Sequence, residues 1–153
     1  MSHEEQAKAL FMDGCNCAQA AFCAFCDVTG LEKELAMRLS SSFGGGMGRL
    51  REVCGALSGI FMAAGILYGY DDLTDKSLKT DHYERIQELA ARFRKENGSI
   101  LCREILGLEE EHSRPEPEDR TPDYYARRPC PEVVAKAARI FEEYMREHPI
   151  PER

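Results

Sequence analysis

The chain has 153 residues with 43% hydrophobic content, enough for one domain with a real core and no need of disulfide staples. Its formal net charge of -7, from 27 acidic and 20 basic residues, argues against a general nucleic-acid binder and against docking on anionic lipid. Arg49 with Arg51, and Arg127 with Arg128, are close arginine pairs that could form a local basic patch. The first ten residues, Met1 to Leu10, are polar and helical in pattern, with no basic start followed by an apolar core. The expectation is therefore a cytoplasmic protein with reduced thiols. Seven cysteines in such a chain point to metal or redox chemistry rather than to a disulfide scaffold.

Alternating β-branched runs are missing, while Ala, Leu, Glu, Arg and Met are abundant, so the reading is all-α. A first helix is predicted from His3 to Met12, stopped by Asp13-Gly14. A second runs from Asn16, as N-cap, to about Cys26, and a third from Leu31 to about Ser40. A glycine loop follows, Phe43-Gly44-Gly45-Gly46-Met47-Gly48. The fourth helix, about Arg51 to Tyr68, is the most apolar, and the 18 residues from Val53 to Tyr70 carry no charge. That length reaches the threshold for a membrane span. Its many small residues, including Gly55, Ser58, Gly59, Ala63 and Gly65, fit better with a central helix wrapped by others, so no membrane insertion is expected.

A fifth helix fits Asp75 to Asn97, with Gly98 as its stop. Ser99 can cap a short sixth through Leu106, ended by Gly107. All seven prolines lie at or after Pro115, so residues 109–130 read as an irregular Pro-rich connection. Pro131 opens a last helix to about Glu147. The expected fold is a single-domain helical bundle spanning residues 1–153, with six or seven helices around the central apolar one.

On this map Cys17, Cys54, Cys102 and Cys130 all fall at or near helix starts. Helix N-termini offer free N–H groups and partial positive charge, which favour the thiolate, the form that ligates metal and attacks as a nucleophile. Each cysteine alone also fits a small buried apolar side chain. Cys23 and Cys26 form a C-x-x-C, but near a helix end and without the preceding strand of a thioredoxin-like motif, so two core-facing side chains are the better reading. Cys15 precedes the Asn16 cap, as an auxiliary thiol or without a role. The loop glycines Gly44, Gly45, Gly46 and Gly48, with Gly55, are candidates for cradling a cofactor or anion by backbone N–H groups. A tight turn that lets Cys54 reach its partners explains the loop as well. His3, His82, His112 and His148 lack metal-ligand spacing and are expected at the surface. Glu109-Glu110-Glu111 reads as a solvated charge run.

Cys54-Gly55-Ala56-Leu57-Ser58-Gly59 matches a C-G-A-x-x-G motif, Asn16-Cys17-Ala18-Gln19 an N-C-A-Q segment, and Cys102 and Cys130 two later lone cysteines. With the glycine loop, this pattern from Asp13 to Cys130 resembles the C_GCAxxG_C_C family of redox-active proteins. A related domain occurs at the N-terminus of split-Soret cytochromes, which are thought to bind an iron–sulfur centre as well as haem. The resemblance implies a redox role for Cys17, Cys54, Cys102 and Cys130, and it extends to an iron–sulfur cluster. No C-x-x-C-H is present, so covalent haem is not expected.

Three functions stay open at this point. The first is a four-cysteine site for an iron–sulfur cluster or another thiophilic metal, zinc included, that carries electrons. The second is a metal-free thiol–disulfide enzyme or sensor. The third is a non-catalytic helical partner of a transporter. The redox partner protein is not named by the sequence, and a homodimer is compatible with it.

Overall fold

The computed structural model describes residues 1–109 and 113–152. Glu110, Glu111 and His112, to which two of the surface expectations refer, lie outside the described residues. Among the described residues the chain is all-α. Its helices are α1 (His3–Met12), α2 (Cys17–Cys23), α3 (Cys26–Thr29), α4 (Lys33–Ser40), α5 (Gly55–Tyr68), α6 (Lys76–Asn97), α7 (Cys102–Leu106), α8 (Pro122–Arg127) and α9 (Cys130–Glu147). The only extended pairing described is an isolated antiparallel bridge between Val53 and Leu101. No described helix is long and apolar enough to cross a membrane.

Local chemistry sets the boundaries. Ser2 with Glu5, and Asn16 with Gln19, form reciprocal capping boxes at the starts of α1 and α2. Asp75 caps α6, and Gly98 ends it in the left-handed region. The central helix is α5, where Leu57, Ile60, Ala63 and Ala64 are fully buried. Phe22 and Phe25 come to it from the α2–α3 corner, Leu89 and Phe93 from α6, and Ile140 and Phe141 from α9. Glycine lets α2 lie against α5. A Cβ on Gly59 would stand 2.8 Å from the Ala18 carbonyl oxygen and 2.8 Å from Ala21 Cβ.

Several boundaries and three surface assignments differ from the sequence reading; among them, the short helix expected after a Ser99 cap starts at Cys102, with Leu101 as its cap residue. The second helix stops at Cys23, because Phe25 leaves helical geometry (φ -106°, ψ 15°) to enter the core, where it meets Phe141 edge-on at 5.0 Å. The third begins at Lys33. The central helix starts at Gly55, because residues 51–54 are spent pairing with residues 100–103. The Pro-rich connection contains α8, capped by Thr121 and opened by Pro122. His3, expected at the surface, is half-buried: Nδ1 meets Glu142 at 2.7 Å, Nε2 meets Asp27 at 3.0 Å, and its ring stacks on Phe25. His82 and His148 are half-buried as well.

Candidate functional site

Each of the four singled-out cysteines sits at the start of a helix. Cys17 is the first residue of α2 after its Asn16 cap, and Cys54 is the cap residue of α5. Cys102 opens α7, and Cys130 opens α9 just ahead of Pro131. All four line one cavity of about 330 Å³. Cys15, Cys23 and Cys26 are not on its wall. All seven cysteines are free thiols. Among the described residues, no three His, Cys, Asp or Glu side chains are grouped tightly enough to hold a single metal ion.

The backbone accounts for two of the positions. The Val53–Leu101 bridge is flanked by Cys54 N–H to Ile100 O (2.8 Å) and Cys102 N–H to Glu52 O (2.6 Å). Cys54 and Cys102 are thereby held on facing chain segments by peptide hydrogen bonds. The glycine loop winds the chain into this arrangement. From Gly45 through Arg49 every residue has positive φ, between 61° and 70°, and Arg51 follows at 61°. The non-glycine members Met47, Arg49 and Arg51 each cost about 1–2 kcal/mol there. Hydrogen bonds from Arg51 N–H to Gly45 O (3.2 Å) and Glu52 N–H to Gly46 O (3.0 Å) hold the winding.

The candidate glycines divide into two roles. Gly44, Gly45 and Gly48 line the cavity. Gly46 and Gly55 instead make room for the thiols' own chains. A Cβ on Gly46 would lie 2.7 Å from Cys102 Cβ, and one on Gly55 would lie 2.5 Å from Cys17 Sγ. Tight packing is the main task of Gly46 and Gly55.

Arginines supply most of the cavity's charge. Arg49, Arg51, Arg120 and Arg128 lie on the wall against one carboxylate, Glu118. Glu118 is itself engaged by Arg127 and Arg128. Arg51 is only 5% exposed; its Nε donates to Ser113 Oγ at 2.8 Å and its Nη1 to Cys102 Sγ at 3.5 Å. Arg120 donates to the carbonyls of Phe11 (3.0 Å) and Cys15 (2.9 Å), which ties the Pro-rich connection to the α1–α2 corner. Among the described residues, the buried Nε of Arg128 has no hydrogen-bond partner. The wall is thus rich in cations and donors and fits an anionic occupant.

The thiols of Cys17, Cys54 and Cys130 are raised, contrary to what their helix starts alone imply. Burial lifts Cys17, and the N–H groups of Gly45 and Ala18 offset only part of it. Burial and the neighbouring Cys17 push Cys54 well above its ordinary range, against the N–H groups of Ala56 and Leu57. Burial, with Cys17 and Cys102 nearby, pushes Cys130 up to about 12. Desolvation of a charge outweighs the helix-end field here. At neutral pH these three groups are thiols, and they ionise only when a bound cation repays the charge.

This has a consequence for stability. A folded-state value raised above the ordinary 9.0 means that the native state holds its proton more tightly than the unfolded chain. The contribution is complete below about pH 9 and is lost as pH rises toward about 12. Urea melts of the reduced, metal-free protein should show the midpoint falling across that window, with a smaller fall for Cys130→Ala. An equal fall in both proteins would remove Cys130 as a cause.

The sequence reading offered Arg49, Arg51 and Arg128 only as members of possible basic patches, and it missed Arg120 and Tyr124 as cavity residues. The two arginine pairs were the available signal, since Arg49, Arg51 and Arg128 all reach the wall.

A family model described as "Putative redox-active protein (C_GCAxxG_C_C)" matches residues 15–144 of this chain. No curated protein and no solved structure matches it.

Proposed function

Because the chain belongs to the C_GCAxxG_C_C family, we propose that it is an electron-transfer protein whose cavity holds an iron–sulfur cluster on Cys17, Cys54, Cys102 and Cys130. The observation that carries this reading is one shared cavity of about 330 Å³ lined by four thiols and four arginines. A lone ion draws its thiolates to ~2.3 Å and needs no such room. A cluster fills space, is ligated by four cysteines and brings net negative charge, which the arginine wall suits. Such a cluster, when bound, supplies reversible one-electron transfer.

The chain's own groups would set the conditions of that chemistry. The four sulfurs would give up their protons to serve as the ligands. Arg51 Nη1, 3.5 Å from Cys102 Sγ, and the N–H groups facing Cys17 and Cys54 donate toward sulfur and so favour the more reduced state. Buried Cys54 and Cys102 stand away from solvent. The arginine wall, which suits bound negative charge, favours the cluster over a metal-free thiol–disulfide role for these four.

The test is anaerobic reconstitution with ferrous iron and sulfide, followed by iron and acid-labile sulfide analysis and visible absorption. The expected result is a bound chromophore with both elements present. Zinc bound in place of iron and sulfide would make the site a structural metal centre, and retention of no metal at all would overturn the reading.

A further inference from the structure

A second sulfur group lies outside the cavity. Cys23 closes α2 and Cys26 opens α3, with Ala24 still in the right-handed helical region between them. The turn between them is closed by Phe25 N–H donating to Phe22 O at 3.1 Å, and the two thiols lie close enough for each to shift the other's proton affinity. Cys23 is 3% exposed, while Cys26 is half-buried and so the one open to solvent. The Lys33 ammonium lies close enough to favour both thiolates, with Asp27 opposing it at Cys26.

We propose that Cys26 and Cys23 are a second, two-electron redox site that reduces a low-molecular-weight disulfide, with Cys26 attacking and Cys23 resolving. Accessibility assigns the roles, because an incoming disulfide reaches Cys26 and not the buried Cys23. Proton affinity agrees: burial raises both thiols, but their mutual interaction offsets part of the rise at Cys26 and helps lift Cys23 to about 12. Half-burial of Cys26 favours a small, flexible disulfide over one fixed in a rigid protein surface.

The chemistry balances. The Cys26 thiolate attacks one sulfur of the substrate, the substrate S–S bond breaks, and a Cys26 mixed disulfide forms as the first thiolate leaves. Cys23, having lost its proton, attacks the Cys26 sulfur, and the second substrate thiolate leaves as the Cys23–Cys26 bond forms. Two protein thiols are oxidised, one disulfide becomes two thiols, and the two protons shed by the protein are taken up by the two products. None of the four cavity cysteines takes part.

The experiment treats the full-length protein with oxidised glutathione in the absence of oxygen, followed by acid quench, alkylation of free thiols and peptide mass mapping. Wild type should yield a Cys23–Cys26 disulfide. Cys23→Ala, which keeps the buried position small and apolar, should instead trap one glutathione on Cys26. Cys26→Ala should show neither product. Alkylated Cys23 and Cys26 in treated wild type, or glutathione trapped elsewhere in Cys23→Ala, would overturn the proposal. Iron and sulfide loading of both variants, measured in parallel, is expected at the wild-type level, so this test stands or falls apart from the cavity reading.

Discussion

Cys54→Ser is expected to abolish iron–sulfur loading while leaving the helical circular dichroism and the melting temperature close to wild type. The position explains both halves. Cys54 is the cap residue of α5, and the N–H groups of Ala56 and Leu57 face its sulfur. Serine is among the best cap residues, worth about 0.5–2 kcal/mol relative to alanine, so the oxygen can take over that task. It cannot take over as a soft-metal ligand. Cys23→Ser should do the reverse. Its side chain lies in the core at 3% exposure, so a hydroxyl there costs about 1–3 kcal/mol unless it finds a partner, while loading is retained. Loading that survives in Cys54→Ser and disappears in Cys23→Ser would move the cofactor away from the cavity.

Gly59→Leu is expected to be among the most destabilising single changes in the molecule. Even a Cβ there would stand 2.8 Å from a backbone oxygen, Ala18 O, 2.8 Å from Ala21 Cβ and 3.0 Å from Phe22 N. Helix propensity favours leucine over glycine by up to about 1 kcal/mol, but overpacking costs about 1–3 kcal/mol or more. Packing wins because two of these three atoms belong to the backbone of a neighbouring helix and the third is attached directly to it. A loss of about 3 kcal/mol corresponds to roughly 10 °C in Tm for a chain of this size. Gly65→Ala is the control: on the same helix, with no atom within 4 Å of its added Cβ, it should gain about 1 kcal/mol. A Gly59→Leu protein that melts with the wild type would mean that α2 and α5 do not pack as described.

Much of the fold was legible because local rules decide it. The boundaries of α1, the Asn16 cap and the Gly98 and Gly107 stops all follow from residues within one turn of the helix end. The departures arise where tertiary contacts override local preference. Phe25 breaks a helix because the core takes its ring, and Arg51 to Cys54 leave the helical path because Glu52 to Cys54 pair with a segment some fifty residues away. Thr121-Pro122 was a readable start signal for α8, hidden by the proline-rich composition around it.

The placement of the four cysteines at helix starts was readable, and so was the loop that leads to Cys54. The shared cavity could not be derived from spacing, since it depends on how α2, α5, α7 and α9 converge. The thiol ionisation was misjudged for a physical reason. A helix-end field is a local property of the sequence, whereas desolvation depends on everything packed around the sulfur.

The bridge between Val53 and Leu101 separates two things that proteins often entangle. Cys54 and Cys102 owe their mutual placement to main-chain amides and carbonyls, which side-chain changes at Val53 and Leu101 leave in place. Side chains of the interior can therefore drift in size and shape, shifting how hard the bundle is to melt, without retuning the distance between these two sulfurs. Lineages of this chain are free to trade thermal robustness up or down while the same pair of thiols stays in register.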